Sequence, residues 1–247
     1  MKPMERKLAA AVALAGALSA PAGAAPIAVP NDTFQMPAVN DGATLYIVTL
    51  DQTTIPGWTA SLAGAGISQG GIADPQDAQF PGATGDDAAL PGTADGGQAV
   101  ILRGSLAMNT QVFVTIDPLA TVEAGETYTL TAAVGNALDS DPGDVAIQIT
   151  VNNSVVAQTT ANDSTLPEGT FTDLQVVYVA PASGPLVGGS LKVRLRQAVT
   201  GAGNQFAYFD RIEFEDGAVP EPGAPLLLAA GAAALACAGR RGRRRSR

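Results

Sequence analysis

The residues able to do chemistry in this 247-residue chain are almost all carboxylates: Asp and Glu number 23, Lys and Arg 14, and there is no histidine. Without histidine there is no Ser-His-Asp or Cys-His catalysis and no imidazole-ligated metal. What remains is carboxylate chemistry, a Ser-Lys arrangement, or oxygen ligation of calcium. Glycoside hydrolysis needs two carboxyls held across a cleft, and no motif marks such a pair. Asp139, Asp141 and Asp144 cluster around Pro142-Gly143. Their spacing is not that of an EF-hand loop, and a polar turn explains them. Asp74, Asp77, Asp86 and Asp87 read as solvated loop charges. Asp210 differs: simple alternation through Phe206 to Glu215 puts Tyr208 and Asp210 on the same side as Ile212 and Phe214. A carboxylate on a buried face needs a cation or several hydrogen bonds, so calcium or backbone amides are expected beside it. Lys192, Arg194 and Arg196 form a basic stripe, expected to pair across strands with Glu213 and Glu215. Contact with an acidic polysaccharide is the alternative.

These side chains are expected on β-strands. Between the two ends no long segment has helical periodicity. Short runs of Val, Ile, Thr and Tyr alternate with Gly, Pro, Asp and Asn clusters, the pattern of an all-β sandwich or barrel. Period-two alternation is clear in 127–134, 145–151 and 191–196. Further strands are expected over 44–50, 58–62, 98–102, 110–116, 171–179 and 206–215. The segment 64–95, dense in Gly, Pro and Asp, reads as a long loop. Trp58, the only tryptophan, reads as a core residue, whereas Tyr46, Phe80 and Phe113 are candidates for exposed aromatic platforms.

The two ends have a different character. Residues 1–25 read as a signal peptide, with Lys2, Arg6 and Lys7 before an apolar run and a small-residue cleavage site. Residues 218–247 contain Pro220-Glu221-Pro222, an apolar stretch near the lower limit for crossing a bilayer, and Arg240, Arg241, Arg243, Arg244 and Arg245. The ends hold most of the basic residues. The segment between them, 26–217, has five basic and 21 acidic residues, a balance of −16. Nucleic acid would be repelled by such a surface. The only cysteine, Cys237, lies in the tail, so the domain has no disulfide.

The C-terminal motif, apolar stretch and arginines resemble the PEP-CTERM sorting signal. That resemblance implies an exosortase and signal peptidase as partners, an inner-membrane anchor before processing, and then a cell-surface or extracellular location. Between the ends, NDTFQMP (Asn31 to Pro37), IPGWTAS (Ile55 to Ser61), TADGGQAVIL (Thr93 to Leu102), AGETYTLTAAVGNALD (Ala124 to Asp139) and FAYFDRIEFE (Phe206 to Glu215) follow in order. Together they resemble the galactose-binding-like jelly-roll domains of PEP-CTERM proteins, related in shape to carbohydrate-binding modules. The resemblance implies a two-sheet antiparallel jelly roll, flanked by an N-terminal signal helix and a C-terminal hydrophobic helix. It also implies a structural calcium between Asn31, Gln35 and Asp210. Gln35 stands where the relatives have Glu, and Arg211 where they have a small polar residue. The function expected is a non-catalytic surface or matrix protein associated with exopolysaccharide. A structural adhesion protein without sugar affinity is the alternative, and a carboxylate-dependent glycoside hydrolase the third reading.

Overall fold

A computed structural model describes residues 24–40, 42, 44–47, 55–63, 68–83, 89–104, 110–200 and 205–218. The Pro220-Glu221-Pro222 motif, the apolar tail with its arginines, the leader as far as residue 23, and Asp86 and Asp87 lie outside them.

The described residues form two antiparallel sheets packed as a sandwich. In chain order the strands are β1 (Ala25–Pro26), β2 (Thr44–Ile47), β3 (Trp58–Ala63), β4 (Ser68–Ala73), β5 (Ala99–Gly104), β6 (Thr110–Thr115) and β7 (Ala120–Thr121). They continue as β8 (Glu126–Asn136), β9 (Asp144–Val151), β10 (Ser154–Ala161), β11 (Thr170–Val179), β12 (Ser190–Ala198) and β13 (Gln205–Ala218). The larger sheet runs β11-β8-β13-β5-β4-β2, with β1 added along β13; the smaller runs β10-β9-β12-β6-β3, with β7 added along β12. The expected alternation is realised. Val145, Ile147, Ile149 and Val151 of β9 and Leu191, Val193 and Leu195 of β12 point into one core with Leu130, Val134, Phe209 and Phe214 of the larger sheet. Burying such side chains stabilises by about 1.5–3 kcal/mol each. Besides the two-residue strands β1 and β7, two strands escape the sequence pattern. β4 lies inside the expected loop, because Ser68-Gln-Gly-Gly-Ile-Ala73 is poor in strand formers. β10 lies outside the expected strands, because the polar run Gln158-Thr159-Thr160 interrupts a period-two pattern.

Trp58 is fully buried, its indole nitrogen donating to the Pro30 carbonyl at 2.7 Å. Phe80 and Phe113 are not platforms: both are fully buried. The basic stripe does not meet Glu213 and Glu215. Lys192, Arg194 and Arg196 lie in the smaller sheet, where β12 is flanked by β9 and β6, while Glu213 and Glu215 pair with Thr131 and Thr129 in the other sheet. Lys192 instead donates to the Ile116 carbonyl and Arg194 to that of Asn153.

The alternation expected along the last strand is broken. Asp210 pairs with Ala133 and Glu213 with Thr131, so Arg211 and Ile212 together oppose the single residue Ala132. This β-bulge, with Arg211 at φ +45°, shifts the parity by one. Ala207 and Phe209 before it, and Ile212 and Phe214 after it, all reach the inner core. Tyr208 and Asp210 therefore face the opposite side, the outer face of the larger sheet.

Candidate active site

The outer face of the larger sheet is covered at one end. After β4 the chain crosses it before returning as β5. Phe80, Ala83 and Leu90 from this crossing pack on Ala73, Ala99, Ile101, Ala133, Phe171 and Tyr208 as a second apolar cluster. The Phe80 ring sits 4.7 Å from Phe171 and edge-on to Tyr208 at 5.1 Å. Gly135 makes the approach possible, since a Cβ there would lie 2.7 Å from the Phe171 ring and 2.9 Å from Phe80.

Beside this cluster a cavity of about 170 Å³ opens between sheet and loop. Its floor is Ala73 of β4, Ile101 of β5, and Phe206 and Tyr208 of β13. Its walls are Asp74, Pro75 and Gln79 from the crossing and Asp139 from the turn after β8. The Gln79 amide donates to an Asp139 carboxylate oxygen at 2.9 Å, holding loop and turn together. The Arg103 guanidinium lies 5.2 Å over the Phe206 ring. Asp74 is not the solvated charge expected: it is only 1% exposed. The Pro75 that follows ends the strand and turns the chain across the sheet. Asp77 is exposed, as expected, and accepts from the Gly82 amide at 2.8 Å. A carboxyl and a phenol in a recess with an aromatic floor and polar walls are equipped for proton transfer.

Asp210 occupies a second buried position on the same face. Its Oδ2 accepts from the Asp95 amide at 2.6 Å, its Oδ1 is buried without a hydrogen-bond partner, and the side chain is fully buried. Burial pushes its pKa up to about 7, against the lowering effect of the Asp95 and Arg211 amides. The structure brings Gln35 to the same place through Asp95, whose carbonyl accepts from the Gln35 amide. Asn31 is engaged elsewhere. Its Nδ2 donates to the Met36 carbonyl and its Oδ1 accepts from the Met36 amide, closing a turn on itself. Among the described residues no group of three Asp, Glu or Cys side chains could hold a metal ion. Calcium favours six to eight oxygens. The donors here, an amide nitrogen aimed at carbonyls and one carboxyl, do not fit it. The cluster 139–144 is the polar turn expected: Asp141 accepts from the Gly143 amide at 2.6 Å and from Gln205 at 2.9 Å.

Residues 25–215 match the HpiC1-like family, described as HpiC1 cyclase. The chain belongs to that family. Two similar solved structures come from Fischerella sp. TAU. One is a Stig cyclase, Fisc, in complex with (3Z)-3-(1-methyl-2-pyrrolidinylidene)-3H-indole, 19% identical, covering 79% of this chain and 100% of that one at a TM-score of 0.62. The other is a cyclase in complex with 4-(1H-indol-3-yl)butan-2-one, 19% identical, covering 79% and 99% at 0.59. A carbohydrate-binding module of the β-sandwich superfamily also aligns, 10% identical over 71% of this chain and 63% of that one, at 0.44. No curated protein matches.

Membership in a cyclase family corrects the functional expectation. The reading of a non-catalytic, exopolysaccharide-associated surface protein, and with it the expectation of no enzymatic activity, is overturned by the match across residues 25–215. The PEP-CTERM resemblance rests on residues outside that match, and the family matched is not that one. The sequence reading missed the cavity because its residues come from three strands, a loop and a turn far apart in the chain. The one available signal was Asp74-Pro75 directly after Ile72-Ala73: an acid at the point where an apolar pair gives way to proline.

Proposed function

We propose that this protein is a proton-transfer cyclase that takes a small aromatic substrate of the indole class into the cavity over β4, β5 and β13, with Asp74 as the acid–base group. The observation that carries this reading is a buried carboxyl in the wall of an aromatic-floored cavity, in a chain of a cyclase family. Ring closure by rearrangement conserves atoms and oxidation state. It asks for a proton donor and acceptor and a shaped apolar wall. With no histidine in the chain, carboxyl and phenol groups are the available proton carriers. An engineered cavity of about 150 Å³ accommodates benzene, so this one is scaled to a ring rather than to a polymer. Ile101, Phe206 and Tyr208 would hold the ring, and Asp74 would deliver a proton to it and take one back.

The test has two stages. Purified protein mixed with 4-(1H-indol-3-yl)butan-2-one should transfer saturation to the indole protons in ligand-observed NMR. Ile101→Trp, which fills the cavity, should abolish the transfer, and Asp74→Asn should keep it. Conversion of indole-bearing substrates to isomeric products should then fall about 100-fold or more in Asp74→Asn. No transfer from the wild-type protein, or full turnover by Asp74→Asn, would sink the reading.

A further inference from the structure

Away from the cavity, the N-terminal segment is pinned to β13 where that strand changes partners. Residues 205–209 of β13 pair with β5, and 215–216 pair with β1. The bulge lies between these stretches, and there the Ile212 amide donates to the Asp32 carbonyl at 2.9 Å. The turn that follows, with Asn31 at φ +48° and Phe34 at φ +52°, aims Gln35 inward. The Gln35 amide nitrogen meets three main-chain carbonyls: Thr33 at 2.7 Å, Gln98 at 3.2 Å and Asp95 at 3.3 Å. Gly96 leaves the room, since a Cβ there would stand 2.6 Å from that nitrogen. Asp95 links this cage to Asp210 by donating its amide to the carboxyl.

Three carbonyl oxygens converging on one point make it strongly negative, and something positive must occupy it. Two amide hydrogens serve. A carboxylate at position 35 would instead face three carbonyls, with the Asp210 carboxyl beyond, and only a cation could hold these oxygens together. Three carbonyls, a bidentate Glu and Asp210 would supply six hard oxygens, the number at which calcium coordination begins.

We propose that the Gln35 amide takes the place of a cation in this fold. The N-terminal segment therefore closes on β13 without calcium, and the single exchange Gln35→Glu converts the cage into a calcium site. The inference is independent of the cavity and of the proposed chemistry there.

The experiment is calorimetric titration and thermal melting of the purified protein with calcium chloride, and with a chelator. The wild-type protein should bind no calcium and melt at one temperature in both conditions. Gln35→Glu should melt lower in chelator, bind one calcium, and rise by about 5 °C or more at saturating metal, because a ligand that binds only the folded state stabilises it. If Gln35→Glu does not fold in chelator, refolding on adding calcium gives the same answer. Calcium binding by the wild-type protein, or a Gln35→Glu variant indifferent to calcium in both measurements, would overturn the proposal.

Discussion

The two faces of the larger sheet are made by the same strands and have opposite character. The inner face presents Ile72, Val100, Leu102, Leu130, Val134 and Phe209, a closed apolar layer. The outer face, one residue along each strand, presents Ala73, Ala99, Ala133 and Gly135 under the crossing, and half-exposed Thr127, Thr129 and Thr131 beyond it. Large residues inward give cohesion, since close packing rewards volume. Small residues outward at Ala99, Ala133 and Gly135 let Phe80 of the crossing come down onto the sheet beside Phe171. The cavity opens beside this cover, over Ala73, Ile101, Phe206 and Tyr208, and on the same face Asp74 and Asp210 are buried. Cohesion and the proposed chemistry are thus divided between the two sides of one sheet.

Substitutions can break or sharpen this division. The largest effect is expected on the inner side. Ile147→Ala, in the layer facing the sheet, should cost about 2–5 kcal/mol in urea unfolding, with binding at the cavity unchanged once the protein is folded. An equal loss of indole binding would mean the faces are not independent.

Next comes the buried acid of the outer face. The Asp210 pKa is raised from 3.8 to about 7 on folding. Between those values the folded state holds a proton that the unfolded state has released, so stability falls as pH rises through this window and levels off above it. Asp210→Asn removes that dependence. Urea melts at pH 4 and pH 8 should show the variant gaining on the wild type by up to about 4 kcal/mol as pH rises. A constant difference would show that Asp210 is charged throughout.

A smaller effect is expected at the boundary between sheet and crossing. Gly135→Ala places a methyl against Phe80 and Phe171 and should destabilise by about 1–3 kcal/mol. Because it pushes on the cover rather than the core, amide exchange in residues 77–83 should quicken more than exchange in β9. The smallest effect lies on the open half of the outer face, where Arg211 meets Asp173 at 2.5 Å, with 28% and 40% of the side chains exposed. Asp173→Asn should cost less than about 1 kcal/mol, and high salt should erase the difference.

Much of this was legible in the chain. Alternation in 127–134, 145–151 and 191–196 needs only the period of a strand and one buried face, both local properties, so the sandwich and most of its strands follow from sequence. Even the cover leaves a trace. Along β8 the pattern Thr-Tyr-Thr-Leu-Thr gives way to Ala132-Ala-Val-Gly-Asn136, all buried, which marks where a one-sided strand becomes two-sided. The absence of histidine and the burial of Trp58 are equally local inferences.

What the tertiary structure decided depends on meetings between distant segments. One extra residue at Arg211 reversed the side on which Tyr208 and Asp210 lie, and no composition signal announces a bulge. Asp74 reads as solvated from sequence alone because its surroundings, Ile101, Phe206 and Tyr208, arrive from strands 27 to 134 positions away. Gln35 finds two of its three carbonyls, those of Asp95 and Gln98, only when the turn 31–35 is laid against 95–98. Local sequence sets the period of a strand and the polarity of its faces. Which buried polar group meets which partner is set by register and crossing, and these are fixed only when the whole sheet closes.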